Sequence, residues 1–147
     1  MNVRKLLLLS LVLLSAITLG IMAQGLYIPS ANEPFYGTWM NEKISPPKTI
    51  HYPYGTFEDY KSLSDTTPFR NGKSTFVRKS TDSEGNVYYE TNDRMSFGIV
   101  LHSIWKISDS GKVLEMVGRA AGIEQKDFPK EISQKDPHYF IYYRSNN

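Results

Sequence analysis

From residue 35 onward the sequence is cut by turn chemistry about every ten residues, the spacing of an all-β sandwich or barrel. Between the cuts lie short runs rich in β-branched and aromatic residues, which favour pleated, half-buried surfaces. The seven Phe, ten Tyr and two Trp all fall after residue 26. Eight strands are predicted: Phe35 to Met40, Lys48 to Tyr52, Thr56 to Ser62, Lys73 to Thr81, Val87 to Thr91, Ser96 to Ile107, Val113 to Gly118 and His138 to Arg144. The one helical candidate is a turn or two over 124–133, interrupted by Pro129.

The joins between strands carry an order of their own. Joins two, four and six, "PYG" (53–55), "DSEGN" (82–86) and "SDSGK" (108–112), are compact and each holds a glycine suited to a hairpin. Joins one, three and seven, at 41–47, 63–72 and 119–137, are longer, while join five, "NDRM" (92–95), is short. In an up-and-down meander, odd and even joins lie at opposite ends. The tight turns would therefore close one end of a barrel, and the long loops would rim the other. Eight strands close a barrel just wide enough to be filled by side chains or to hold one small ligand.

The N-terminus is a separate unit. Arg4 and Lys5 precede an uncharged apolar run from Leu6 to Ala23, and small residues flank Gln24. Residues 1–25 therefore read as a signal helix, cleaved after Gly25 or retained as an anchor, since the run also reaches the ~18 residues of a membrane span. Either outcome exports the remainder to the periplasm, the cell surface or the medium, with membrane contact only through that segment. Residues 26–34, with Pro29 and Pro34, read as a linker or extended arm, and residues 35–147 as the barrel domain. Cysteine is absent, so the exported domain folds without disulfides and its core must suffice.

Arg4 and Lys5 account for the formal net charge of +2, so the exported part is neutral. That balance, and the lack of a basic stripe, argues against nucleic-acid binding.

Gly37-Thr38-Trp39 resembles the G-x-W signature that opens the first strand of lipocalins and the wider calycin superfamily. The resemblance implies an eight-stranded antiparallel barrel whose tryptophan lies across the closed base, covered by an arginine from the last strand. Arg144 in "YFIYYR" occupies that place. Gly37, Trp39 and Arg144 are thus the expected plug, with Gly37 leaving room for an indole or guanidinium against the backbone. An inward Trp39 sends Phe35, Gly37 and Asn41 inward and Tyr36, Thr38 and Met40 outward.

The same parity turns Phe97, Ile99, Leu101, Ser103, Trp105 and Ile107 inward in strand six. It turns Leu114, Met116 and Gly118 inward in strand seven, with Glu115 and Arg119 outward. His138, Phe140 and Tyr142 follow Arg144 inward in strand eight. Strands two to five alternate poorly, and there Tyr52, Tyr60 and Tyr89 are the candidates for the interior.

The expected binding residues are therefore Leu101, Ser103, Met116, His138, Phe140, Tyr142 and those three tyrosines. Phe69, Arg70 and Phe128 are expected on the rim. Two readings of this set stand side by side. In one, the residues line a cavity for a small hydrophobic or amphipathic molecule. In the other, they fill the barrel, and rim loops 63–72 and 119–137 hold a protein or an envelope component.

Catalytic and metal chemistry find little support. "TPFRNGKS" has Thr67 where a phosphate-binding loop needs glycine, and "DSEGN" lacks the alternating acids of a calcium loop. His51, His102 and His138 show no ligand spacing, and parity sends the last two to opposite faces. No cysteine or G-x-S-x-G serine offers a nucleophile. The expectation is a non-enzymatic binding protein without metal or cofactor.

Overall fold

A computed structural model of the chain describes residues 26–121 and 129–146. Eight antiparallel strands run in chain order and close on themselves as a meander barrel. They are β1 (Gly37–Met40), β2 (Lys48–His51), β3 (Thr56–Tyr60), β4 (Arg70–Thr81), β5 (Val87–Met95), β6 (Val100–Ser108), β7 (Val113–Ala120) and β8 (Tyr139–Arg144). The expected signal helix over 1–25 and the rim residue Phe128 lie outside the described residues. So does half of the helical candidate, 124–128, and its remaining residues, 129–133, form no helix.

Register defines one continuous inward face, because directly opposed residues share a side of the sheet. Trp39 opposes Thr49, which opposes Asp59, which opposes Arg70. Further round, Ser74 opposes Asp93 and Asp93 opposes Leu101, while Trp105 opposes Met116 and Met116 opposes Phe140. The circuit closes where Arg144 of β8 opposes Trp39. The tight joins at 52–55, 82–86 and 109–112 lie at one end, and the long joins at 41–47, 61–69 and 121–138 at the other.

Two boundaries differ from expectation. β5 continues through "NDRM" to Met95, and β6 starts only at Val100, so the fifth hairpin turns at 96–99 on Gly98, whose φ is +92°. Phe97 and Ile99, expected inside, sit on that turn and are 60% and 49% exposed. β4 likewise starts at Arg70 instead of Lys73, which shortens the third loop. Tyr36, expected outward, is buried: it precedes β1, escapes the pleat and packs edge-on against Phe35.

The closed end is a stack of aromatic rings. Phe35, Trp39, Phe76, Tyr89 and Trp105 form one buried cluster with Ile107 and Leu114 beneath the barrel's midpoint. The Trp39 indole N–H donates to the Phe35 carbonyl at 3.0 Å. The Arg144 guanidinium lies over the Trp39 ring, 4.2 Å from its centroid, within the range of a cation–π contact. Its N–H groups donate to the carbonyls of Pro34, Tyr36 (2.9 Å) and Gly111 (2.6 Å). Gly37, at φ +129°, makes room for this: a Cβ there would stand 2.6 Å from Arg144 Nη1.

Residues 26–34 cross this end and add a buried polar knot. A bulge in β4 between Phe76 and Arg78 shifts the register so that Lys79 opposes inward Tyr89. Lys79 Nζ then meets Glu33 at 2.7 Å, and Tyr89 donates to the same carboxylate at 2.6 Å. Tyr27 Oη and the Ser30 backbone N–H also donate to Glu33. Burial pushes this carboxyl up, but its hydrogen bonds from Lys79, Tyr27 and Tyr89 outweigh that and hold it at about 2.

Three outcomes check this closure. Trp39→Ala is expected to cost about 3–5 kcal/mol, the range for deleting a large buried aromatic, and thermal unfolding reads it directly. Gly37→Ala is expected to cost about 1–3 kcal/mol, because it strains the backbone and displaces Arg144. Glu33→Gln destabilises at neutral pH. Because the folded-state value is depressed below the ordinary 4.5, the native carboxylate's advantage disappears as pH falls through about 2, and the gap to wild type closes with it.

Candidate functional site

Above the aromatic stack the barrel is not filled. A cavity of about 410 Å³ opens at the loop-rich end. Phe57, Met95, Leu101, Trp105, Met116 and Phe140 supply its apolar wall. Gly118 widens it, and Gly72 lets the Phe57 ring lie against the wall, since a Cβ there would stand 2.5 Å from that ring. Ser45 and Pro46 of the first loop, with Arg119 near the end of β7 and His138 of the last loop, border the mouth.

Polar side chains enter the cavity from β2, β3, β4 and β5. Asp59 is buried and accepts from Arg70 Nε at 2.6 Å, a neutralised pair. His51 is buried, its Nε2 3.3 Å from Thr49 Oγ1 and its Nδ1 without a partner. Burial holds the imidazole down at about 3, so it is neutral across the physiological range.

Asp93 is 2% exposed, and no donor closes a well-formed hydrogen bond on either carboxyl oxygen. Desolvation raises its pKa from the ordinary 3.8, opposed by looser hydrogen bonding from Ser103, Ser74, Thr91 and Trp105. These donors are all neutral, and none supplies a counter-charge. Trp105 Nε1–H donates to Thr91 Oγ1 at 2.9 Å, and the Ser74 and Ser103 hydroxyls close no well-formed bond elsewhere.

The structure distributes the expected site residues over four places. Leu101, Met116, His138, Phe140, Tyr142 and Arg70 line the cavity, and buried Ser103 lies against it, opposite Gly118. Tyr89 is inward but sits below, fully buried in the aromatic stack with its hydroxyl on Glu33. Tyr60 is on the outer face, because inward Phe57 and Asp59 fix the parity of β3, and Tyr52 sits exposed in the tight join before that strand; both hydroxyls donate to Glu58 at 2.7 Å. Phe69 is exposed on the rim beside Arg70. Arg119 faces out by parity yet borders the mouth, where Asp136 holds its guanidinium.

His51, Phe57, Asp59, Asp93 and Met95 were missed in the sequence. Cross-strand propagation from Trp39 was the available signal: it places Gly37 opposite His51 and His51 opposite Phe57.

A second concavity, of about 510 Å³, lies outside the barrel between β4–β7 and residues 130–134. Four of its charges are paired, Arg78 with Glu90 and Lys106 with Glu115 at 3.4 Å, and Lys130 and Glu131 add one charge of each sign, as expected of a solvated face. Among the described residues, no group of three or more His, Asp or Glu side chains is placed to hold a metal ion.

The lone carboxyl has a measurable consequence. Its folded-state pKa is raised, so the native state is penalised as pH climbs above the ordinary value and is not penalised below it. Asp93→Asn is therefore expected to raise Tm at pH 7, by about 3–5 °C for each kcal/mol recovered, and to match wild type near pH 3.

No protein-family model matches this chain, and no significant match is found among curated proteins or among solved structures.

Proposed function

We propose that this chain is an exported, non-enzymatic binding protein of lipocalin-like build, which holds a small amphipathic molecule at the loop-rich end of its barrel. The supporting observation is the cavity itself: about 410 Å³, mostly apolar walls and a few buried polar atoms, the ordinary composition of a small-molecule site. The lipocalin-like reading rests on Gly37-Thr38-Trp39 opening β1 and Arg144 covering the tryptophan. Export rests on the basic-then-apolar pattern of residues 1–25. The cavity's two aspartates, one paired with Arg70 and one desolvated, suit recognition better than turnover.

Native mass spectrometry of the protein purified from its own envelope tests this. A small molecule is expected to travel with the chain and to be lost from Gly118→Leu. At that position a Cβ would stand 3.2 Å from Ser103 Oγ and 3.4 Å from Met116 Cε, tight contacts with side chains that can shift, and the longer side chain would occupy the cavity; circular dichroism of the variant checks that it folds. A bare wild-type chain would overturn the carrier reading and favour recognition through the rim, where Phe69, Phe97 and Ile99 are exposed.

A further inference from the structure

The groups around the cavity separate into those that have partners and those that lack them. Both guanidinium groups are engaged. Arg70 is held by Asp59 at 2.6 Å, and Arg119 by Asp136 and the Gly118 carbonyl. His51 is neutral. What lacks a well-formed bond comprises both oxygens of Asp93, the hydroxyls of Ser74 and Ser103, which approach Asp93 and can donate or accept, and Nδ1 of His51. Asp93 is thus the one ionisable acid lining the cavity, among the described residues, that no cation faces.

A buried carboxyl without a partner is costly, and it is stabilised either by retaining its proton or by gaining a counter-charge. An anionic ligand would bring a second negative charge beside Asp93, while both guanidinium groups at the cavity among the described residues are already engaged. A neutral ligand would leave any ionised Asp93 uncompensated. A protonated amine answers the whole set. Its N–H groups are donors only, as in a lysine head group, and a charge-assisted bond to a desolvated carboxylate is stronger than a neutral one.

On the reading of the cavity as a ligand site, we infer that its occupant is an organic cation. A protonated amine is seated on Asp93 between Ser74 and Ser103, and an apolar or ring-bearing body lies against Trp105, Phe57 and Phe140. Ser74 is directly opposite Asp93 on β4, and Ser103 approaches from β6. Trp105 and Phe57 add aromatic surface to the same chamber, so the head group and the body of such a molecule are both accommodated.

Calorimetric titration at neutral pH with three molecules of one shape separates the alternatives: 2-phenylethylamine, 2-phenylethanol and 3-phenylpropionate. The amine is expected to bind at least tenfold more tightly than the alcohol, and the carboxylate to bind most weakly. Asp93→Asn is expected to abolish the preference for the amine while leaving the alcohol unchanged. Ser103→Ala, a smaller change to the fold, is expected to weaken the amine severalfold. Wild-type binding of the alcohol or the carboxylate as tightly as the amine would overturn the cation assignment and leave the carrier reading intact. Should none of the three bind, the co-purified molecule decides: a basic nitrogen supports the assignment, its absence overturns it, and a bare chain overturns both readings.

Discussion

The barrel is closed by its weakest seam. β1 and β8 oppose each other at only two positions, Trp39 with Arg144 and Met40 with Tyr143, whereas β4 and β5 share nine. So short a ladder depends on side chains, and the guanidinium of Arg144 stacked on the indole of Trp39 supplies them. The same guanidinium ties the entry to β1 at Pro34 and Tyr36 to the β6–β7 turn at Gly111. One side chain from the last strand therefore holds three segments that meet only after the whole meander has formed. Every inward position inherits its parity from this contact.

Two buried carboxylates show how differently the two ends are built. Glu33, at the closed end, receives Lys79, Tyr27, Tyr89 and Ser30, and its pKa falls despite burial. Asp93, facing the open end, has only neutral and loosely placed donors around it, and desolvation outweighs them so that its pKa rises. Burial alone does not separate them, since both residues are at most 5% exposed. The difference is satisfaction: a bulge in β4 is used to turn Lys79 toward Glu33, while nothing of the kind serves Asp93. The carboxylate at the closed end is fully satisfied, and the one facing the open end is not.

The legible parts of the sequence were those where packing imposes apolar alternation. Trp39, Gly37 and Arg144 fall where the motif and the strand count put them, and Leu101, Met116, Phe140 and Tyr142 follow the same parity into the cavity. β2, β3 and β5 resisted because their inward rows are mixed: Thr49 and His51, Phe57 and Asp59, then Tyr89, Thr91, Asp93 and Met95. Polar residues on an inward face erase the period-two signal that marks a strand. "NDRM" was therefore read as a turn although Asp93 within it is among the most buried side chains. The register of neighbouring strands, which a single sequence does not display, was needed to place it.

That failure of pattern is itself informative about the site. Where local sequence and global fold disagree, the residues concerned are commonly the ones held for function against stability. A leucine or asparagine at 93 would keep the strand and remove an unsatisfied charge, so the fold alone gives no reason for an aspartate there. The strain is tolerable because the stability of the domain is assembled elsewhere, in the ring stack and the Glu33 knot at the far end. A rigid base thus permits a cavity whose polar groups are left without a counter-charge, and on the carrier reading proposed above these are the groups a cationic ligand would meet.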